Sequence, residues 1–180
     1  MNYERSREEK GIILMRLMMF TVMLSSLNAL MFHVVIPEIS EEFNLTLAQV
    51  SWLSSAYTLI YAFGIVTYGK LSDRFQLKTL LTFGLSLFAI GLLIGFISQS
   101  FWAALFGRCL QSAGAASVPA ISLIIPVKYF APEKRGSALS MTAVGVALGS
   151  ALSPVVSALI VSFSNWRWLF LPSLLILALL

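Results

Sequence analysis

The sequence predicts an all-α integral membrane protein, on three observations. Hydrophobic residues make up 58% of the 180-residue chain and charged residues 11%, with a mean hydropathy of +0.88, too little polar surface to coat a water-soluble globule. The apolar residues gather into runs of about 20, the length of helix that crosses a bilayer core of about 30 Å. Between the runs stand short polar connections that alternate between basic and cation-poor, the distribution that sets orientation in a membrane.

The first run, 17–36, follows a polar N-terminal segment, 1–16, of mixed charge, and is too long for a signal-peptide core, so it stays as a span. Pro37 stops it. The connection PEISEEFNLT carries Glu38, Glu41 and Glu42 without a cation and is external. The second span, 51–68, opens on Trp52 and closes on Tyr68, an aromatic-belt pattern. The polar run GKLSDRFQLK, 69–78, with Lys70, Asp73, Arg74 and Lys78, returns the chain inside. Gly69 is expected to end the helix through a left-handed backbone, and Asp73 to stand near the start of the next.

The third span, 79–97, the tight external turn SQSF and the fourth span, 102–125, ended by Pro126, come next. The loop 126–136, with Lys128, Lys134 and Arg135, is again internal and leads into the fifth span, 137–163. The turn SNWR puts Arg167 outside, and 168–180 begins a sixth span too short to complete a crossing. Nine cations, from Arg5 to Arg135, fall on one side against Arg167 on the other. The N-terminus is therefore expected in the cytoplasm and the chain in the cell membrane, with the lipid bilayer as its first partner.

The net charge of +4 resides in membrane loops, so no nucleic-acid partner is expected. A single cysteine, Cys109, provides no disulfide framework, and the spans hold no metal-ligand cluster. With no carboxylate pair, nucleophile–base pair or phosphate-cradling glycine loop there either, an enzyme is not expected.

Arg108 is the charge that stands well inside an apolar stretch. An arginine at mid-membrane costs about 2.5–3.5 kcal/mol on insertion scales, so it is usually turned inward and paired. Gln111, Ser112 and Ala115 follow it at helical spacing, making one small and polar face suited to a wet cavity. The other reading, an anchor that snorkels or bonds a neighbouring carbonyl, stays open. No Asp or Glu lies in any span, so a counter-charge is expected in other sequence or in substrate. The first span offers Asn28 and His33, about 140° apart on the helix and hence on different faces. His33 is either a proton carrier or a packing residue. In the fifth span Gly145, Gly149, Ser153 and Ser157 recur every four residues beside Pro154, a stripe for close helix packing or for a moving interface. Tyr57, Tyr61 and Phe63 read mostly as packing or lipid-facing residues.

Gly69, Leu71, Asp73, Arg74 and Lys78 match the helix 2–3 loop of the major facilitator superfamily, and Arg108, Gln111, Gly114 and Ala116 its helix 4 motif. The stretch PEKRGSA matches the turn before helix 5, and NWRWLF the start of helix 6. Over nearly its whole length the chain resembles the N-terminal half of a transporter of this superfamily, in the manner of the bacterial drug:proton antiporters that include the tetracycline exporters. It departs at Gln76 and Ser112, where glycines are usual, at Leu77, where a cation is common, and at Ser153, Val156 and Ser157 of the antiport motif, which Gly145, Gly149 and Pro154 otherwise fit. Asn28 stands where drug exporters carry an acid, and His33 where asparagine is common.

The resemblance implies the N-terminal six-helix bundle of the major facilitator fold, its sixth helix cut short. It further implies inverted three-helix repeats and alternating access around a midplane site shared with the C-terminal half, a partner missing here. Arg108 would tune proton coupling, helices 1, 2, 4 and 5 would face the cavity, and Asp73 with the loop cations would latch the cytoplasmic side. The implied function is proton-coupled efflux of small amphipathic compounds or drugs, driven by the proton gradient without a cofactor. The alternatives are import of an anionic solute, or a truncated fragment or half-transporter that needs a partner chain.

Overall fold

In a computed structural model, which describes residues 2–171 and 173 with side chains from Lys10 onward, the chain is helical nearly throughout. The elements are α1 (Asn2–Val34), α2 (Ile36–Phe43), α3 (Leu47–Val50), α4 (Trp52–Leu71), α5 (Leu77–Phe96), α6 (Phe101–Ala115), α7 (Ser117–Tyr129) and α8 (Pro132–Phe163), then a 3-10 turn, Trp166–Phe170. No strand occurs among the described residues. Among the described residues five stretches are long and apolar enough to cross a membrane: Lys10–Val34, Leu47–Leu71, Leu77–Phe96, Phe101–Tyr129 and Pro132–Phe163. The sixth span expected over 168–180 lies, apart from the 3-10 turn, Leu171 and Ser173, outside the described residues.

The connections fall at two ends of the bundle. Those bearing Glu42, Ser98 and Arg167 meet at an acidic end. The turns after α4 and α7 lie together at a basic end, where Tyr68, Leu80 and Phe130 share a core cluster with Met15 of α1. The fourth span, α6 with α7, is the central one: 67% of its most apolar stretch is buried, against 22% to 39% in the others.

Two glycine-lined contacts hold this arrangement. Gly84, Gly91 and Gly95 of α5 sit against α6 and the start of α7. A Cβ on Gly91 would lie 2.6 Å from the Gly107 carbonyl, and one on Gly107 would lie 2.8 Å from the Gly95 nitrogen. Bare backbones thus meet, the contact that drives helix association where lipid removes the hydrophobic effect. The second contact is the α8 stripe, which faces α1 rung by rung. Gly145 abuts the Met19 carbonyl and Gly149 that of Met23. The Ser153 and Ser157 hydroxyls donate to the carbonyls of Leu27 and Met31, both at 2.9 Å. Gly145, Gly149, Ser153 and Ser157 are all buried here, so within this chain the stripe is a closed helix–helix seam, while Pro154 faces outward from it.

Several local expectations are corrected. Gly69 does not end a helix in a left-handed conformation: α4 continues to Leu71, and no described glycine has positive φ. That role falls to Asn44 (φ 51°), which closes α2. The first helix does end just before Pro37, at Val34, but the chain re-enters helix at once with Pro37 in the first turn of α2, where no amide hydrogen is needed. Pro126 lies inside α7, which runs on to Tyr129. The break in the fourth span is instead at Ala116, three residues before Pro119, whose missing N–H cannot serve the Ala115 carbonyl. The basic connections are shorter than 69–78 and 126–136, because helices take half of the first and most of the second and leave 72–76 and 130–131. Arg135 makes the second turn rigid, donating from Nε to the Phe130 carbonyl (3.3 Å) and from Nη2 to that of Val127 (3.2 Å).

Candidate functional site

The α1–α8 seam fixes the rotation of α1. Leu27 and Met31 face α8, so Asn28 and Phe32, about 100° further round, face α6. On α6, Arg108, Gln111 and Ser112 share one face at spacings of three and four. These two faces meet. Arg108 is 0% exposed, and its Nη1 donates to Gln111 Oε1 (2.6 Å) and Asn28 Oδ1 (3.1 Å). Gln111 Nε2 donates to the same Asn28 oxygen at 2.7 Å, and Asn28 Nδ2 donates to Ser173 Oγ at 2.9 Å. Arg108 Nη2 reaches the Ala29 carbonyl at 3.5 Å.

Aromatic faces close the site. The guanidinium carbon lies 4.0 Å from the Phe32 ring centre and 4.1 Å from that of Tyr57 on α4, sandwiched between them. Ser112 donates to the Tyr57 backbone carbonyl at 2.5 Å, tying α6 to α4 behind that ring. Tyr57 stacks in turn on Tyr61, with centroids 5.9 Å apart.

The sandwich explains how a full positive charge is held without an acid. Each desolvated cation–π contact contributes about 2 kcal/mol, and each hydrogen bond from a charged donor about 1.5–3 kcal/mol. Together they exceed the cost of about 2.5–3.5 kcal/mol for placing arginine at mid-membrane. Arg108 therefore does not snorkel: it is turned inward onto neutral acceptors and ring faces. The site still has spare valence: Arg108 Nε and the Tyr57 hydroxyl are buried with no hydrogen-bond partner among the described residues.

The expected site residues are only partly brought together. Asn28, Arg108 and Gln111 form one network, with Ser112 bonded beside it. His33 is exposed on another face of α1. Asp73, Arg74 and Lys78 stand exposed at the basic end, and Gly69, inside α4, has open space where a Cβ would go. Reading the sequence missed Phe32 and Tyr57 as arginine ligands. Phe32 carried a usable signal, lying four residues beyond Asn28 and so on its face.

A second polar cluster went unread at the acidic end. Arg167 Nη2 pairs with Glu42 Oε1 at 2.7 Å, and its Nε donates to the Ser98 carbonyl at 2.7 Å. Trp166 Nε1 donates to Glu42 Oε2 at 2.5 Å. Arg167 thus ties the three connections of that end, through the Glu42 carboxylate and the Ser98 carbonyl. Partial burial raises the Glu42 pKa, but the bonds from Arg167 and Trp166 outweigh it and leave the group below its ordinary value.

Residues 18–180 match the family model described as Major Facilitator Superfamily. Riboflavin transporter RibZ of Clostridioides difficile (strain 630) is 26% identical over 164 residues, 91% of this chain and 36% of that protein. Multidrug resistance protein 3 of Bacillus subtilis (strain 168) is 32% identical over 122 residues, 68% of this chain and 24% of that one. Efflux pump dotC of Dothistroma septosporum (strain NZE10 / CBS 128990) is 33% identical over 158 residues, 88% and 27% respectively. The chain thus spans about a third or less of the length of these curated relatives. In fold it is similar to a bacterial homologue of the human lysosomal transporter Spinster, solved inward-facing and unoccupied, with a TM-score of 0.69 at 19% identity over 96% of this chain and 42% of that one.

Proposed function

Because the chain belongs to the Major Facilitator Superfamily, we propose that it forms the N-terminal half of a secondary transporter that exports small amphipathic compounds in exchange for protons. The observation that carries this reading is the buried Arg108, held by neutral acceptors and ring faces with Nε still unengaged. A fixed charge in such a setting lowers the pKa of any acid that comes near it. In this reading that acid belongs to the C-terminal half or to the substrate, and its approach and withdrawal couple protonation to alternating access. The N-terminus lies in the cytoplasm, Asp73 and the neighbouring cations latch that side, and the proton gradient is the sole energy source, with no cofactor. Two relatives, a multidrug resistance protein and an efflux pump, support the export direction.

A second reading, uptake of an anionic solute, draws on the same spare donors, Arg108 Nε and the Tyr57 hydroxyl. Flux in inside-out vesicles of the complete protein separates the two. Export against protons predicts solute accumulation when the vesicle interior is acid, and proton-coupled uptake predicts solute loss. A third reading, a half-transporter that works only with a partner chain, predicts no flux from this chain alone and recovery on co-expression of a second half.

A further inference from the structure

At the acidic end a cleft of about 620 Å³ opens between the α2–α3 connection, the start of α4 and the start of α6. Its size falls within the roughly 300–1,000 Å³ of small-molecule sites. Phe43 and Phe101 line it and pack edge-on with ring centres 6.5 Å apart, and Phe43 is braced behind by Trp166 at 6.3 Å. The lining is therefore preformed. Trp52 and Trp102, 60% and 75% exposed, each stand at the first turn of a spanning helix and flank the opening. Two tryptophans at the same end of neighbouring spans mark the level of the lipid headgroups.

The cleft is also graded in polarity along the membrane normal. Gln99 and Ser100 precede α6, and Gln49 belongs to the short α3; these form a neutral, amide-rich rim. Gln49 spends its carbonyl on the Thr46 capping box, which leaves its NH2 for a visitor. Leu105, a turn deeper on α6, makes the inner wall apolar. No lining residue is charged. Exposed Glu41 on adjacent α2 would repel an anionic headgroup.

We propose that this cleft binds one zwitterionic phospholipid, its acyl chain against Phe101, Trp102 and Leu105 and its glycerol esters at the Gln49–Gln99–Ser100 rim. The lipid wedges the outer ends of the second and fourth spans, which flank the arginine site. The assignment does not depend on the direction or chemistry of transport.

The test is native mass spectrometry of the complete transporter, delipidated and then titrated with phosphatidylethanolamine or phosphatidylglycerol. The wild type is expected to retain one phosphatidylethanolamine in preference to phosphatidylglycerol. Leu105→Trp, which pushes an indole ring out from the apolar inner wall where the acyl chain would lie, and Trp102→Ala, which removes a flank, are expected to lose that adduct. Leu93→Trp, at an α5 residue that is 49% exposed and does not line the cleft, is expected to keep it. Trp102→Ala removes an exposed ring and leaves the core intact, so it reads the site even where Leu105→Trp fails to fold. Equal retention by wild type and both cleft variants would overturn the proposal. So would a preference for phosphatidylglycerol, or no one-to-one adduct because the rest of the chain or a second copy covers the cleft.

Discussion

Adding one methyl group at Gly145 tests whether the α1–α8 seam positions the arginine site. A Cβ there would lie 2.5 Å from the Met19 carbonyl oxygen, where ordinary contact begins at 3.4 Å, so α1 must retreat by about 0.9 Å. The obstacle is backbone, which cannot rotate away. Retreat along the seam would stretch the Ser153–Leu27 and Ser157–Met31 bonds, both now 2.9 Å, beyond hydrogen-bonding reach. Overpacking of this kind costs about 1–3 kcal/mol, and each lost interhelical bond in a membrane about 0.6 kcal/mol. The gain in helix propensity from glycine to alanine returns at most about 1 kcal/mol. The net loss is about 1–3 kcal/mol, several degrees in the melting temperature of the purified complete protein. Gly69→Ala and Gly136→Ala are the controls, both in helices and both with nothing within 4 Å of the new Cβ. They are expected to melt at or above the wild-type temperature. A Gly145→Ala protein as stable as these controls would refute the seam.

Asn28→Leu removes the acceptor shared by Arg108 and Gln111 and strands buried donors, each costing about 1–3 kcal/mol. Reduced thermal stability and lost gradient-driven transport are expected, and wild-type values for both would remove Asn28 from the network. Tyr57→Leu takes away one of the two ring faces on the guanidinium, a loss of about 2 kcal/mol, whereas Phe63→Leu, at a residue 68% exposed, is expected to be silent in the same melting assay. At the acidic end the Glu42 pKa is depressed, so its bonds contribute stability above the unfolded value of 4.5 that is lost as pH falls through the folded value. Melting temperature is expected to be insensitive to Glu42 between pH 7 and 5 and to decline below about pH 4.5. Arg167→Met removes a bond that depresses the carboxyl, so it should lower the melting temperature at pH 7 and flatten the acid-side decline, and an unchanged profile would detach Glu42 from Arg167.

Features that depend on composition and spacing along one helix were legible in the sequence: the apolar runs, the costly arginine, the four-residue small stripe on the fifth span. Features that depend on which helices become neighbours were not. Phe32 and Tyr57 look like any other membrane aromatics until α1 and α4 are brought to either side of Arg108. Phe32 is turned toward Arg108 by the α8 stripe that rotates α1, a relation between residues more than a hundred positions apart, and Tyr57 is held there by the Ser112 bond that ties α4 to α6. The α5 glycines were passed over because Gly84, Gly91 and Gly95 acquire meaning only against Gly107 and Gly114 of α6. The helix-end errors have a simpler cause. Pro126 and Gly69 signal stops by intrinsic preference, but α7 and α4 run on past them because tertiary packing overrides the local signal. Pro119, three residues past the real break, holds the fourth span's interruption at its middle.

The most direct measurement is gradient-driven flux of a panel of fluorescent amphipathic dyes in inside-out vesicles of the complete transporter, wild type beside Arg108→Gln. Energy-independent exchange of the same compounds is followed in parallel. If the buried positive charge couples protons to transport, Arg108→Gln abolishes accumulation against an imposed proton gradient while exchange across the membrane persists. Accumulation by Arg108→Gln at the wild-type rate and with the wild-type dependence on pH would contradict that coupling.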